Sequence, residues 1–191
     1  NVVKEKNISD VVLGLHRKST VSDSFFGNMT DSLLGGVNRM IYIYKSVQPM
    51  STIKRLVVAT PSKCEFESGF NKWCNRVFTL AGQIGGELVF YCTKETKEAI
   101  MEVAKEIKTS VQIQYFLLAE WEDFLILSRE VHFNDLLLVV TARKQSISYT
   151  PELEKLPKQL GNYFSENSFI VLYPEQFKEG EFDRNISERK F

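Results

Sequence analysis

The segment from residue 55 to residue 86 constrains the fold more than any other. Arg55-Leu-Val-Val-Ala59 is apolar on both faces and has the length of one strand. Apolar residues then recur at helical spacing, at Phe66, Phe70, Trp73, Cys74, Val77, Leu80, Ala81 and Ile84, until Gly85-Gly86 stops them. A strand with no polar face has to be covered on both sides, and a helix that follows it directly supplies one cover. The alternation continues. Strands are expected over 87–92, 110–117, 135–140 and 168–173, and helices over 96–108, 122–131 and 151–164. Five strands alternating with four helices predict an α/β fold, a three-layer α/β/α sandwich around a five-stranded, mainly parallel sheet with right-handed crossovers.

The chain also resembles itself at a shift of roughly 125 to 130 residues. Ile8-Ser-Asp10-Val-Val-Leu resembles Phe133-Asn-Asp135-Leu-Leu-Leu, and Ile41-Tyr-Ile-Tyr44 resembles Ile170-Val-Leu-Tyr173. The second copy has a whole α/β unit before its Asp135, whereas the first has only residues 1–9. The expected organisation is therefore the C-terminal half of a first domain (1–50), a complete second domain (51–176) and a charged tail (177–191), with the chain starting in mid-domain. Residues 1–50 offer too little to bury a core alone. The last strands of the two copies, around Ile41–Tyr44 and Phe169–Tyr173, are expected to pair antiparallel as edge strands and to make the chain prone to homodimerise.

Composition excludes several classes of function. Lys+Arg and Asp+Glu stand at 24 each, so no field draws the chain to nucleic acid or to an anionic membrane surface. No apolar run approaches the ~20 residues of a membrane span. Three cysteines form no CxxC pair, and with two histidines they make no zinc ligand set. Cys74 and Cys92 read as small core hydrophobes, and Cys64 as the most exposed thiol. Phe66, Phe70, Trp73 and Phe78 read as a core stripe, since the interleaved basic residues of a strand-binding groove are missing. Glu120, Glu122 and Asp123 suit a helix N-terminus better than an acid pair. No catalytic constellation is expected.

One loop remains as a candidate site. Gly14 and Gly27 lie between a strand over 10–13 and a short helix beginning near Asn28, where backbone N–H groups can cradle phosphate. Here a resemblance enters. The strand, the loop, the helix over 28–34 and the closing strand over 40–44 resemble the C-terminal half of a universal stress protein domain, and residues 52–176 resemble a complete one. The resemblance implies a universal stress protein-like, adenine nucleotide alpha hydrolase-like fold, in which a Gly-x2-Gly-x9-Gly-(Ser/Thr) loop holds ATP phosphates. By position Gly14 matches the first glycine and Gly27 the third, while Arg17 replaces the second and Asn28 the Ser/Thr. The site residues so implied are Gly14, His16, Arg17, Lys18, Gly27, Asn28 and Met29, with ATP or another adenine nucleotide as ligand.

The second copy departs further. Pro61 stands near the place of the family's acidic residue, and residues 140–150 contain no glycine, so no cofactor is expected there. The phrases Asp10-Val-Val-Leu-Gly-Leu-His-Arg-Lys-Ser-Thr and Ser24-Phe-Phe-Gly-Asn-Met-Thr-Asp-Ser-Leu-Leu are most similar to the tandem stress-protein region following the membrane domain of bacterial cation:proton antiporters. That resemblance implies a non-catalytic regulatory domain on the cytoplasmic side of the inner membrane, partnered by the transmembrane domain of its own polypeptide. A fragment of a free-standing tandem stress protein that binds ATP is the alternative.

Overall fold

The structure, a computed structural model, describes residues 8–15 and 36–176. Among the described residues seven strands form one sheet: β1 (Asp10–Gly14), β2 (Met40–Lys45), β3 (Arg55–Ala59), β4 (Glu87–Cys92), β5 (Ile113–Leu117), β6 (Asp135–Val140) and β7 (Ser168–Tyr173), in the order β1-β2-β7-β6-β3-β4-β5. The five strands read from residues 55–173 are all present, but β1 and β2 extend the same sheet to seven rather than leaving it at five. Every pairing is parallel except β2 with β7, where Ile41 faces Tyr173 and Ile43 faces Val171. The antiparallel pairing expected from the repeat is thus formed within the chain, and both strands are interior.

Alternate residues of each strand enter two cores, one on each face of the sheet. On one face Leu56, Val58, Phe90, Leu136 and Leu138 pack under α1 (Phe70–Ile84) and α2 (Lys94–Glu106). On the other, Val57, Val89, Leu137, Phe169 and Val171 pack under α3 (Leu127–Glu130), α4 (Leu156–Tyr163) and the 3-10 turns that lead into them. Helix α1 buries Phe70, Trp73, Cys74, Val77, Phe78 and Ala81 and ends at Gly85 in the left-handed conformation. Phe66 lies outside this stripe. It belongs to a 3-10 turn before the helix and is 68% exposed.

Helix α2 starts at Lys94 because the Thr93 hydroxyl accepts the Thr96 N–H and caps it. The helices expected over 122–131 and 151–164 are each split. In Trp121–Ile126 the tighter 3-10 winding stacks Trp121 on Phe124, ring centroids 5.0 Å apart, because residues three apart eclipse in that helix. In the second case Pro157 has no N–H to offer the carbonyl four residues back, so Pro151–Lys155 winds as 3-10 before α4 begins.

At the amino edge of the sheet Asp135, buried, accepts two bonds from Arg55, at 2.6 and 3.1 Å, and the His132 N–H at 2.7 Å. These bonds pin β3 to β6 where the two strands begin. Beside them Gly86 lies so close to the Lys54 carbonyl that a Cβ would come within 1.9 Å of its oxygen. Gly86→Ala is expected to destabilise by ~1–3 kcal/mol, as overpacking does. Gly14→Ala, where a Cβ meets nothing within 4 Å, serves as the neutral comparison. Denaturant midpoints of the two variants check this.

Candidate functional site

An open parallel sheet offers its crevice outside the carboxyl ends of the strands, where the strand order reverses. Here the chain leaves β3 toward β4 on one side, while β6 lies on the other. The crevice therefore falls between loops 60–69 and 141–150. It is occupied by the protein's own side chains. The Glu67 carboxylate, from the loop after β3, accepts the Ser148 N–H at 3.1 Å and the Ser148 hydroxyl at 2.8 Å. A backbone N–H and a hydroxyl converging on one oxygen is the arrangement an anionic ligand uses. An internal carboxylate holds that position.

The rest of the loop is equally engaged. Arg143 reaches across to the linker before β2 and donates to the carbonyls of Val37 (2.6 Å) and Arg39 (3.0 Å). Burial pulls its pKa below the ordinary value, yet a guanidinium stays charged throughout the accessible range. The segment after β7 crosses the same edge. Gln176 donates its N–H to the Asn38 carbonyl (2.9 Å) and its amide to Ser146. Glu175 bridges Arg39 and Lys72, and its backbone lies over Gly69, where a Cβ would come within 2.6 Å of the Glu175 oxygen. The glycine at the start of α1 is there to let that strap pass.

Of the residues that the sequence points to, the structure places one. Gly14 ends β1, exposed, and the following Leu15 N–H donates to the Tyr44 carbonyl at 2.8 Å. His16, Arg17, Lys18, Gly27, Asn28 and Met29 lie outside the described residues. The sequence does not point to Glu67 and Ser148, because nothing in either loop shows that the two meet. A carboxylate six residues beyond Pro61 and a serine in a glycine-free loop were the available signals. At the opposite, amino edge a cleft of ~670 Å³ is lined by Arg55, Glu87, Gln112, His132 and Asp135. Its buried carboxylate is already paired with Arg55, and it lies across the sheet from the reversal of strand order.

The thiols differ from expectation at one position. Cys64 is fully buried, its Sγ 3.9 Å from the Thr96 hydroxyl, which in turn donates to Glu65 at 2.7 Å. Burial, then the Glu65 carboxylate, pushes the Cys64 thiol well up; burial also raises Cys74 and lifts Cys92 to about 12. Glu120 precedes the Trp121–Ile126 turn, and Glu122 and Asp123 occupy its first turn, as the dipole argument has it. Among the described residues no three His, Cys, Asp or Glu side chains are grouped to hold a metal, and no helix is long and apolar enough to cross a membrane.

Neither the protein-family models nor the curated proteins hold a match to this chain. Among solved structures the chain is similar to a universal stress protein from Archaeoglobus fulgidus DSM 4304, at 14% identity and a TM-score of 0.49, over 92% of this chain and 63% of that one.

Two measurements bear on the geometry. Glu67→Ala, which leaves the buried Ser148 N–H without an acceptor, is expected to cost ~1–3 kcal/mol, and Glu67→Gln, which keeps one, distinctly less. Paired denaturation curves decide it. The three thiols keep their protons in the folded chain, whereas an unfolded thiol ionises near 9.0. Their contribution therefore leaves stability unchanged below that value and lowers it as pH climbs above it. Iodoacetamide at mildly alkaline pH should label none of them until the chain is unfolded.

Proposed function

We propose that this chain is a non-catalytic regulatory module of universal stress protein type, serving a cation:proton antiporter from the cytoplasmic side of the membrane and contacting that transporter's membrane domain. In this reading residues 1–50 are half of one domain, 51–176 are a complete second one, and 177–191 are a charged tail. The observation that carries it is the Glu67–Ser148 contact. A crevice where a nucleotide's phosphates would be expected is closed by a carboxylate and an amide of the same chain, which suits a scaffold better than an enzyme. The ligand-responsive part is then assigned, from the motif positions of the sequence alone, to the loop over residues 14–29, with Gly14 and Gly27 at two of the three glycine positions and Arg17 at the other, and with adenine nucleotide as a weakly bound ligand. The phrase similarity described above supports the transporter assignment.

Titration of ATP into the 191-residue chain tests this. Saturation a hundredfold above the dissociation constant stabilises by ~2.7 kcal/mol, a shift that thermal scanning resolves. The expected result is a response that changes on Arg17→Gly, is indifferent to Ser148→Ala, and is accompanied by no phosphate release. A response abolished by Ser148→Ala would put the nucleotide in the second crevice and overturn the assignment.

A further inference from the structure

The strap after β7 is read, residue by residue, by the surface it crosses. Glu175 lays one carboxylate oxygen on the Arg39 guanidinium at 3.2 Å and the other on the Lys72 ammonium. Its carbonyl accepts the Ser68 hydroxyl at 3.2 Å. Gln176, next in line, donates its N–H to the Asn38 carbonyl at 2.9 Å and its amide to the Ser146 hydroxyl. Two consecutive residues thus have backbone and side chain recognised together. We propose that this surface is a peptide-recognition groove which residues 174–176 occupy in cis, and that it takes in their place an extended partner segment in which an acidic residue precedes an amide one.

Bonds outside the strap hold the groove. The linker that carries Asn38 and Arg39 is fixed from the loop after β6, because Arg143 donates to the carbonyls on either side of Asn38, Val37 at 2.6 Å and Arg39 at 3.0 Å. Ser146 sits in a turn that its own N–H closes on the Arg143 carbonyl at 2.9 Å. Gly69 and Lys72 belong to the start of α1, where the Gly69 carbonyl accepts the Trp73 N–H at 3.0 Å. Lys72 makes a second bond, to the Ser9 carbonyl at 3.4 Å. Groups fixed before an occupant arrives spare it the cost of ordering them. Gly69 is the floor: a Cβ there would come within 2.7 Å of the Glu175 nitrogen, so an occupant's backbone lies directly on the groove's own.

Charge selects the occupant. Arg39 and Lys72 come from separate elements and converge on one carboxylate, which favours an acidic side chain and repels a basic one. The strap's own hold is shallow, for the Arg39 side chain is 42% exposed and that of Lys72 33%. Ion pairs at such exposure contribute little each. The strap prevails because its covalent link to β7 keeps it at high effective concentration beside the groove. A partner segment that displaces it also lifts the roof from the loop that carries Ser146 and Ser148.

Fluorescence anisotropy tests this, with a labelled peptide copying residues 173–176, blocked at both ends, titrated with the 191-residue chain. The wild type is expected to bind it weakly and Glu175→Ala about tenfold more tightly, since the cis competitor has lost its carboxylate. Adding Lys72→Ala should remove that gain. The same peptide with glutamine in place of its glutamate should bind Glu175→Ala about tenfold more weakly. No binding to Glu175→Ala, equal affinity for it and the wild type, or affinity untouched by Lys72→Ala would each overturn the proposal. If Glu175→Ala lowers the melting temperature, Gln176→Ala, which removes the Ser146 bond and leaves both ion pairs, is the second variant, and no gain in peptide affinity there counts against the groove.

Discussion

The antiparallel seam between β2 and β7 is the constraint from which the rest of the molecule follows. A parallel pair as short as β1 and β2 has no independent stability. Across the seam, however, Ile41 and Ile43 enter one core and Met40 the other, all but completely buried. The seam is latched at both ends. At one, the Val47 N–H donates to the Ser168 hydroxyl at 2.9 Å and Gln48 donates its amide to the Phe133 carbonyl. At the other, Gln176 bonds Asn38 and Glu175 bonds Arg39. A slip of one residue would send Ile41 and Ile43 to the opposite face and break both latches at once, so the register has no neighbour of comparable energy.

The same latches shape the carboxyl edge. The linker before β2 is held by Arg143 from the loop after β6, and the segment after β7 is held over Gly69 at the start of α1. Elements that position the seam therefore also roof the place where the strand order reverses. Glu67 completes the closure by accepting two bonds from Ser148. What would be a ligand's contacts in an open crevice are internal contacts here, and they stabilise the fold through groups that a binding site would leave free. Buried N–H groups have to be satisfied either way. This chain satisfies them from within.

Local pattern was enough to read most of the architecture. Leu136–Val140 is apolar at every position, and only a strand covered on both faces tolerates that; the stripe from Phe70 to Ala81 has one period and one stop signal. Where local reading failed, a contact remote in sequence decided. Phe66 continues the helical spacing, yet a 3-10 turn leaves it exposed, because the chain bends there to bring Cys64 inward and Glu67 to Ser148. Cys64 looked accessible beside Lys63, and only its position under Thr96 shows that it is not. The split of the last two helices was partly visible in Pro157, while the Trp121–Phe124 stack was not.

What the amino-acid sequence by itself determined is the alternation of strand and helix, the parallel character of the central strands, and the antiparallel meeting of residues 41–44 with residues 169–173. The first two are properties of periodicity, expressed within a few residues of where they are written, and the third follows from the repeat. Only the tertiary structure decided that Glu67 meets Ser148 in the crevice and that Glu175 and Gln176 roof it. Each of those outcomes joins residues between about thirty and more than a hundred positions apart. Pairings at that separation depend on which loops the folded sheet brings to one edge, and no local signal carries that information.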